Sequence, residues 1–250
     1  MAKLFDFTIK NGAAGGFGMF SAAHFTWLAA LVAAGSGVCL AYKNADENSR
    51  RVIRRAAAWG ALGMELLRAA LLLAAGEYNL GRLPLHLCAM AVYICALHAW
   101  RGALHAWRGG ALTGQFLYAF CMPGAVFALI FPDWGYYPAL HFMSVSSFVI
   151  HGLIVIYVVM QVAARDIVPD VKKCPQCLGL MLALALPVYI FDRITGTNYM
   201  FLNWPSPGSP LEWFAFLGSP GFVLGYMPIL AAVWAVMYYP FRRTGENKMQ

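Results

Sequence analysis

The sequence predicts an all-α, polytopic membrane protein of about seven transmembrane helices, with its N-terminus outside and its C-terminus in the cytoplasm. Three observations carry that prediction. Of 250 residues, 61% are hydrophobic and only 12% are charged, against roughly 45–50% and about 25% in ordinary globular chains. The mean hydropathy is +0.62. Mainly apolar runs of bilayer length also recur along the whole chain. So few charges cannot cover a soluble surface, which excludes disordered, coiled-coil, collagen-like and soluble nucleic-acid-binding classes. No nucleic-acid partner is expected.

The runs lie at 20–42, 56–75, 84–100, 113–131, 139–163, 178–194 and 220–239. They divide the chain into an N-terminal outer segment (1–19), a single seven-helix transmembrane domain (20–240) and a cytoplasmic tail (241–250). Residues 1–19 are polar and Gly-rich with no compact basic region, so the first span reads as retained rather than as a cleaved signal. The breaks carry turn and charge punctuation: KNADENSRRVIRR, EYNLGR, FPDWGYYP and a Pro-rich stretch from Asn203 to Pro220. The loops after spans 1, 3 and 5, with the tail, hold thirteen Lys and Arg residues. The other side holds four: Lys3, Lys10, Arg82 and Arg193. Basic loops stay in the cytoplasm, and this fixes the orientation.

Ionisable groups in a bilayer are costly and usually face the bundle interior. In chain order, His24 lies about one turn into span 1 from outside. Glu65 and Arg68 in span 2 are three apart on one face. They read either as a structural ion pair or as Glu65 orienting a histidine or a cationic headgroup. Glu77 and Asn79 follow in an outer loop.

LPLHLC (83–88) opens span 3. Pro84 suits a first helical position, placing His86 and Cys88 near the positive end of the helix dipole. That field favours a neutral imidazole and a thiolate. Two residues apart, they do not share a face, so either needs a partner from another span. At the far end of span 3, HAWRGAL (98–104) is followed by HAWRGGAL (105–112). This local repeat reads as Trp and Arg interfacial anchoring, with a two-His metal or haem site as the alternative.

Span 4 contains Pro123. His141 opens span 5 from outside, and Ser144, Ser147 and His151 share one face below it. That stripe reads as interhelical hydrogen bonding or as a catalytic face. The six cysteines do not form a disulfide framework. CPQC (174–177) reads as a reduced pair, since a structural zinc needs four ligands and no second CxxC exists. Asp192 and Arg193 end span 6. The long connection 193–219 reads as a lid, or as a rigid re-entrant segment, carrying Asn198 and Tyr199.

His24, Glu65, LPLHLC, Pro123, His141 and TGTNYMFL (195–202) together resemble the YwaF-like family of small bacterial membrane proteins. The resemblance covers nearly the whole chain. That family is similar to an animal multi-spanning acyltransferase that remodels ether phospholipids without acyl-CoA, and more distantly to the androgen-induced membrane hydrolases of fatty-acid esters. The resemblance implies a multi-pass plasma-membrane protein whose partners are membrane phospholipids. In the animal acyltransferase a Cys stands between the Pro and the His of this motif. Here Leu85 stands there, and the nearest thiol, Cys88, falls two residues after His86.

The polar residues converge on the outer leaflet, away from cytoplasmic ATP and acyl-CoA. The leading function is therefore a CoA-independent transacylase or ester hydrolase acting on phospholipid, without cofactor or metal. His86 or His141 acts as base toward Cys88 or a lyso-lipid hydroxyl. Glu65 supports the chemistry, Asn79 or Asn198 donates to the oxyanion, and His24, Arg68 and Tyr199 contact substrate. A zinc hydrolase built on His24, His86 and His141 is a variant of this reading. The alternative from another class is a transporter or lipid-binding protein with an outward polar cavity.

Overall fold

A computed structural model of the chain describes residues 4–9, 15–101 and 108–244, without the side chains of 101, 108–111 and 242–244. Residues 105–107 of the second HAWRGGAL copy and 245–250 of the tail lie outside the described residues. The described residues form helices and turns, with no strands. The helices are α1 (Ala22–Asn44), α2 (Glu47–Ala74), α3 (Leu87–Arg101), α4 (Arg108–Phe116), α5 (Met122–Ile130), α6 (Phe142–Ala163), α7 (Cys174–Thr195) and α8 (Tyr226–Tyr238). A π-helical turn, Leu117–Cys121, joins α4 to α5 into one rod.

Six segments are long and apolar enough to cross a membrane, and α3 adds a shorter apolar helix. These match the seven predicted spans. α1, α3 and α6 begin at one end, here the upper end, where α2, α5 and α7 finish. α6 and the α4–α5 rod are central: 61% of each apolar window is buried, against 6% for α1. A periphery this exposed is the face offered to lipid.

Two boundaries differ from the sequence reading, each for a local reason. α2 starts at Glu47, nine residues before the predicted span, because Asp46 caps it by accepting the Ser49 N–H at 2.8 Å. The charged stretch is thus helix projecting beyond the apolar zone. α3 starts at Leu87 rather than at Pro84, because Leu83–Leu85 closes a tight turn (Leu85 N to Leu83 O, 2.8 Å). His86 then lends its carbonyl to Met90 N–H at 3.0 Å and occupies the cap position.

The lower end is tied by a buried arginine. Arg54, 2% exposed, donates to Tyr42 Oη at 3.0 Å and pairs with Asp166 at 3.7 Å. Tyr42 donates to the same carboxylate, and Arg50 reaches it at 3.4 Å. The ends of α1 and α6 and the start of α2 meet there. CPQC occupies the first turn of α7, with Cys174 and Cys177 buried and free. Inside the rod, Pro123 has no N–H for the Ala119 carbonyl four residues earlier. Trp234 Nε1 of α8 donates to that carbonyl at 2.8 Å, satisfying a group the bilayer could not. α8 is clasped again by Tyr118, whose hydroxyl donates to Met237 O at 2.6 Å.

Candidate functional site

The connection after α7 folds back over the opening of α3. Gly196, at φ 71°, caps α7 in the left-handed region, and a short turn follows at Tyr199–Phe201. Tyr199, 1% exposed, donates its hydroxyl to the Leu80 carbonyl and lies edge-on to His86 at 5.0 Å between centroids. Met200 N–H donates to His86 Nδ1 at 3.2 Å, while Met200 O accepts from Tyr226 Oη at 2.7 Å. Met200 and Phe201 sit at φ 51° and 53°, a region costly for side-chain-bearing residues. The two bonds to Met200 hold this strained backbone against His86. Beyond it, Pro210–Leu217 exposes Trp213 and Phe216 at the upper rim.

Arg68 Nη2 donates to Glu65 Oε1 at 2.9 Å and lies 2.6 Å from Oε2 in the same ion pair. This pair lines a cavity of about 30 Å³ together with Tyr78, Arg82, Pro84 and Tyr93. That is room for about one water. Arg68 interacts electrostatically with His86, Cys88, Asp133 and His151. Asp133 lies in the loop between α5 and α6. Burial pushes its carboxyl above the ordinary value, and His151, Arg68 and Arg82 act against that rise.

His86 and His151 are held in opposite tautomers. His86 Nδ1 accepts a backbone N–H, so in the neutral ring the proton sits on Nε2. His151 Nδ1 lies 2.7 Å from the Ser147 carbonyl and must donate to it, which leaves Nε2 as a bare acceptor. Trp134 stacks on the His151 ring at 4.9 Å. One ring offers a donor and the other a base, and the two interact electrostatically.

The other predicted residues are placed differently. Both nitrogens of His24 are engaged by backbone: Nδ1 accepts Phe20 N–H at 3.0 Å and Nε2 donates to Leu129 O at 2.7 Å. His141 Nδ1 accepts Met143 N–H at 3.1 Å and Nε2 donates to Asp6 O at 3.2 Å. These two rings sit with Phe17, Phe148 and Tyr137 in an aromatic layer and clip helix ends together. Asn79 accepts Gly81 N–H at 3.0 Å. Asn198 accepts Asn203 and Trp204 N–H and donates to Trp204 O, shaping the lid. The structure thus gathers Glu65, Arg68, His86, Cys88 and Tyr199, and sets His24 and His141 in backbone bonds. Among the described residues no three His, Cys, Asp or Glu side chains form a metal-holding group.

Arg82, a loop charge in the sequence, lines the same cavity, and Asp133 of the FPDWGYYP turn and His151 of the polar stripe are electrostatic neighbours of Arg68. His151 carried a usable signal, a titratable ring in mid-span four residues from Ser147. Asp192 is a further buried acid at the lid: Thr197 Oγ1 donates to its Oδ1 at 2.6 Å, while Oδ2 has no partner.

Fold and site together define a polytopic all-helical membrane protein with a small polar-lined cavity at one end of its bundle. The profile of the TMEM164 family, a multi-pass membrane family, matches residues 19–238. The chain belongs to that family. No curated protein and no solved structure matches it.

Proposed function

We propose that the protein transfers or hydrolyses an ester-linked acyl chain of membrane phospholipid in the outer leaflet of the plasma membrane, without acyl-CoA. The observation that carries this reading is the pair of opposed tautomers, His86 Nε2–H and His151 Nε2, each an electrostatic neighbour of Arg68. The excess of basic residues in the lower loops supports an outward cavity. The likeness of LPLHLC and GTNYMFL to the YwaF-like proteins, and through them to the ether-phospholipid acyltransferase, supports the substrate class.

His151 Nε2 accepts the proton of the attacking hydroxyl, from a lyso-phospholipid in transfer or from water in hydrolysis. A new C–O bond forms at the ester carbonyl. The tetrahedral oxyanion takes hydrogen bonds from His86 Nε2–H and Arg68, whose guanidinium Glu65 orients. Collapse breaks the old ester bond, and the departing alkoxide takes the proton back from His151. The base is assigned to His151 rather than His86 or His141, because the Nδ1 acceptor sites of those two rings already hold backbone N–H groups. Cys88 makes no hydrogen bond to either histidine, so it has no base on its sulfur; the acceptor hydroxyl is the nucleophile and Cys88 is wall.

The test is mass spectrometry of liposomes holding purified protein, a lyso-phospholipid and an isotope-labelled diacyl donor, with no CoA. Label in the lyso acceptor identifies a transacylase, and label in free fatty acid a hydrolase. Unchanged lipids overturn the acyl reading and favour a carrier or lipid-binding protein.

A further inference from the structure

The lower end holds a second feature that the acyl chemistry does not use. On α2, Arg51, Arg55 and Trp59 follow at intervals of four and so share a face. Arg55, Trp59 and Trp100 of α3 line a groove of about 280 Å³. The two indoles lie 6.2 Å apart at 54° and are 43% and 65% exposed. Arg51 Nε is buried without a hydrogen-bond partner.

No acid remains for these arginines among the described residues at this end. Asp166 is taken by Arg50 and Arg54, and Glu47 by Arg54. Asp46 caps α2, and Asp170 accepts the Lys172 N–H. Two like charges one helical turn apart repel unless an anion lies between them. Guanidinium groups bind phosphate oxygens through paired N–H donors, and Trp rings rest at the boundary between headgroup and acyl chain.

We propose that this groove binds an anionic glycerophospholipid of the lower leaflet. Its phosphate bridges Arg51 and Arg55, and its acyl chain lies along Trp59 and Trp100. The sign and lining of the groove favour a lipid over a soluble anion, because an acyl chain can cover the two exposed indoles beside the arginines.

The test is tryptophan quenching in vesicles containing either brominated-chain phosphatidylglycerol or brominated-chain phosphatidylcholine at equal mole fraction. The wild type is expected to be quenched more by the anionic lipid, and Arg51→Gln/Arg55→Gln is expected to bring the two lipids level. Equal quenching of the wild type by both lipids overturns the proposal, as does an anionic excess that persists in the double variant. Trp59→Phe/Trp100→Phe, which leaves both arginines in place, is expected to abolish the excess. Its survival there overturns the site.

Discussion

His86 and His151 are fixed in complementary tautomers by the backbone: Met200 N–H donates to Nδ1 of the first, and the Ser147 carbonyl accepts from Nδ1 of the second. Neither constraint comes from a side chain, so the assignment survives most substitutions around it. In the proposed mechanism His86 steadies the oxyanion and His151 carries the proton in both directions. The turn at Tyr199–Phe201 orients the first ring and a central helix the second.

The lid's grip is the first point open to test. Tyr199→Phe removes the hydroxyl that bonds the Leu80 carbonyl and leaves that carbonyl without this partner. The expected loss is about 1 kcal/mol locally, read as roughly fivefold faster amide exchange across residues 196–203. Unchanged exchange would show that the hydroxyl does not hold the lid.

Trp234 and Pro123 form a testable pair. Trp234→Phe strands the Ala119 carbonyl that Pro123 cannot serve, at a cost of about 1–3 kcal/mol. In a Pro123→Ala background a backbone N–H returns to the helix, and the same Trp change is expected to cost less than half as much. Equal costs in both backgrounds, by unfolding in detergent, would break the link.

At the lower end, Asp166→Ala leaves Arg54, 2% exposed, with only the exposed Glu47 carboxylate at 3.8 Å. Breaking a buried pair is expensive, and because Asp166 is 20% exposed a loss of about 2 kcal/mol is expected after solvent screening. Arg54→Met in the same chain removes the stranded charge and is expected to recover most of it. A double variant as unstable as the single one would contradict this.

Acid sensitivity should appear at the α2 cap. The hydroxyl and N–H of Ser49 hold the Asp46 carboxyl below its ordinary value. A depressed acid adds stability above the unfolded-state value, and that stability is lost as pH falls toward the folded one. The melting advantage of wild type over Asp46→Asn is therefore expected at neutral pH and should vanish in acid. An advantage that does not change with pH would rule out this cap.

The spans were legible because bilayer length and loop charge are properties of the sequence alone, and seven apolar runs return as the six long apolar segments and α3. The Glu65–Arg68 pair was legible too, being set by helical spacing. What spacing could not give was tertiary convergence. His24, His86 and His141 share a depth, yet two of them spend both nitrogens on neighbouring backbone. Asp133 and Arg82 sit in connections between the long helices, so no periodicity marks them. Tyr199 and Met200 reach His86 across more than a hundred residues, which only the folded lid can show.

The most direct test compares lipid products from wild type, His86→Ala, His151→Ala and Cys88→Ala in CoA-free liposomes with the labelled diacyl donor and lyso acceptor. The account predicts that both histidine variants, folded as judged by helical content, lose transfer or hydrolysis by about a hundredfold or more. Cys88→Ala is predicted to retain it within a fewfold. Full activity in His151→Ala would contradict the central claim.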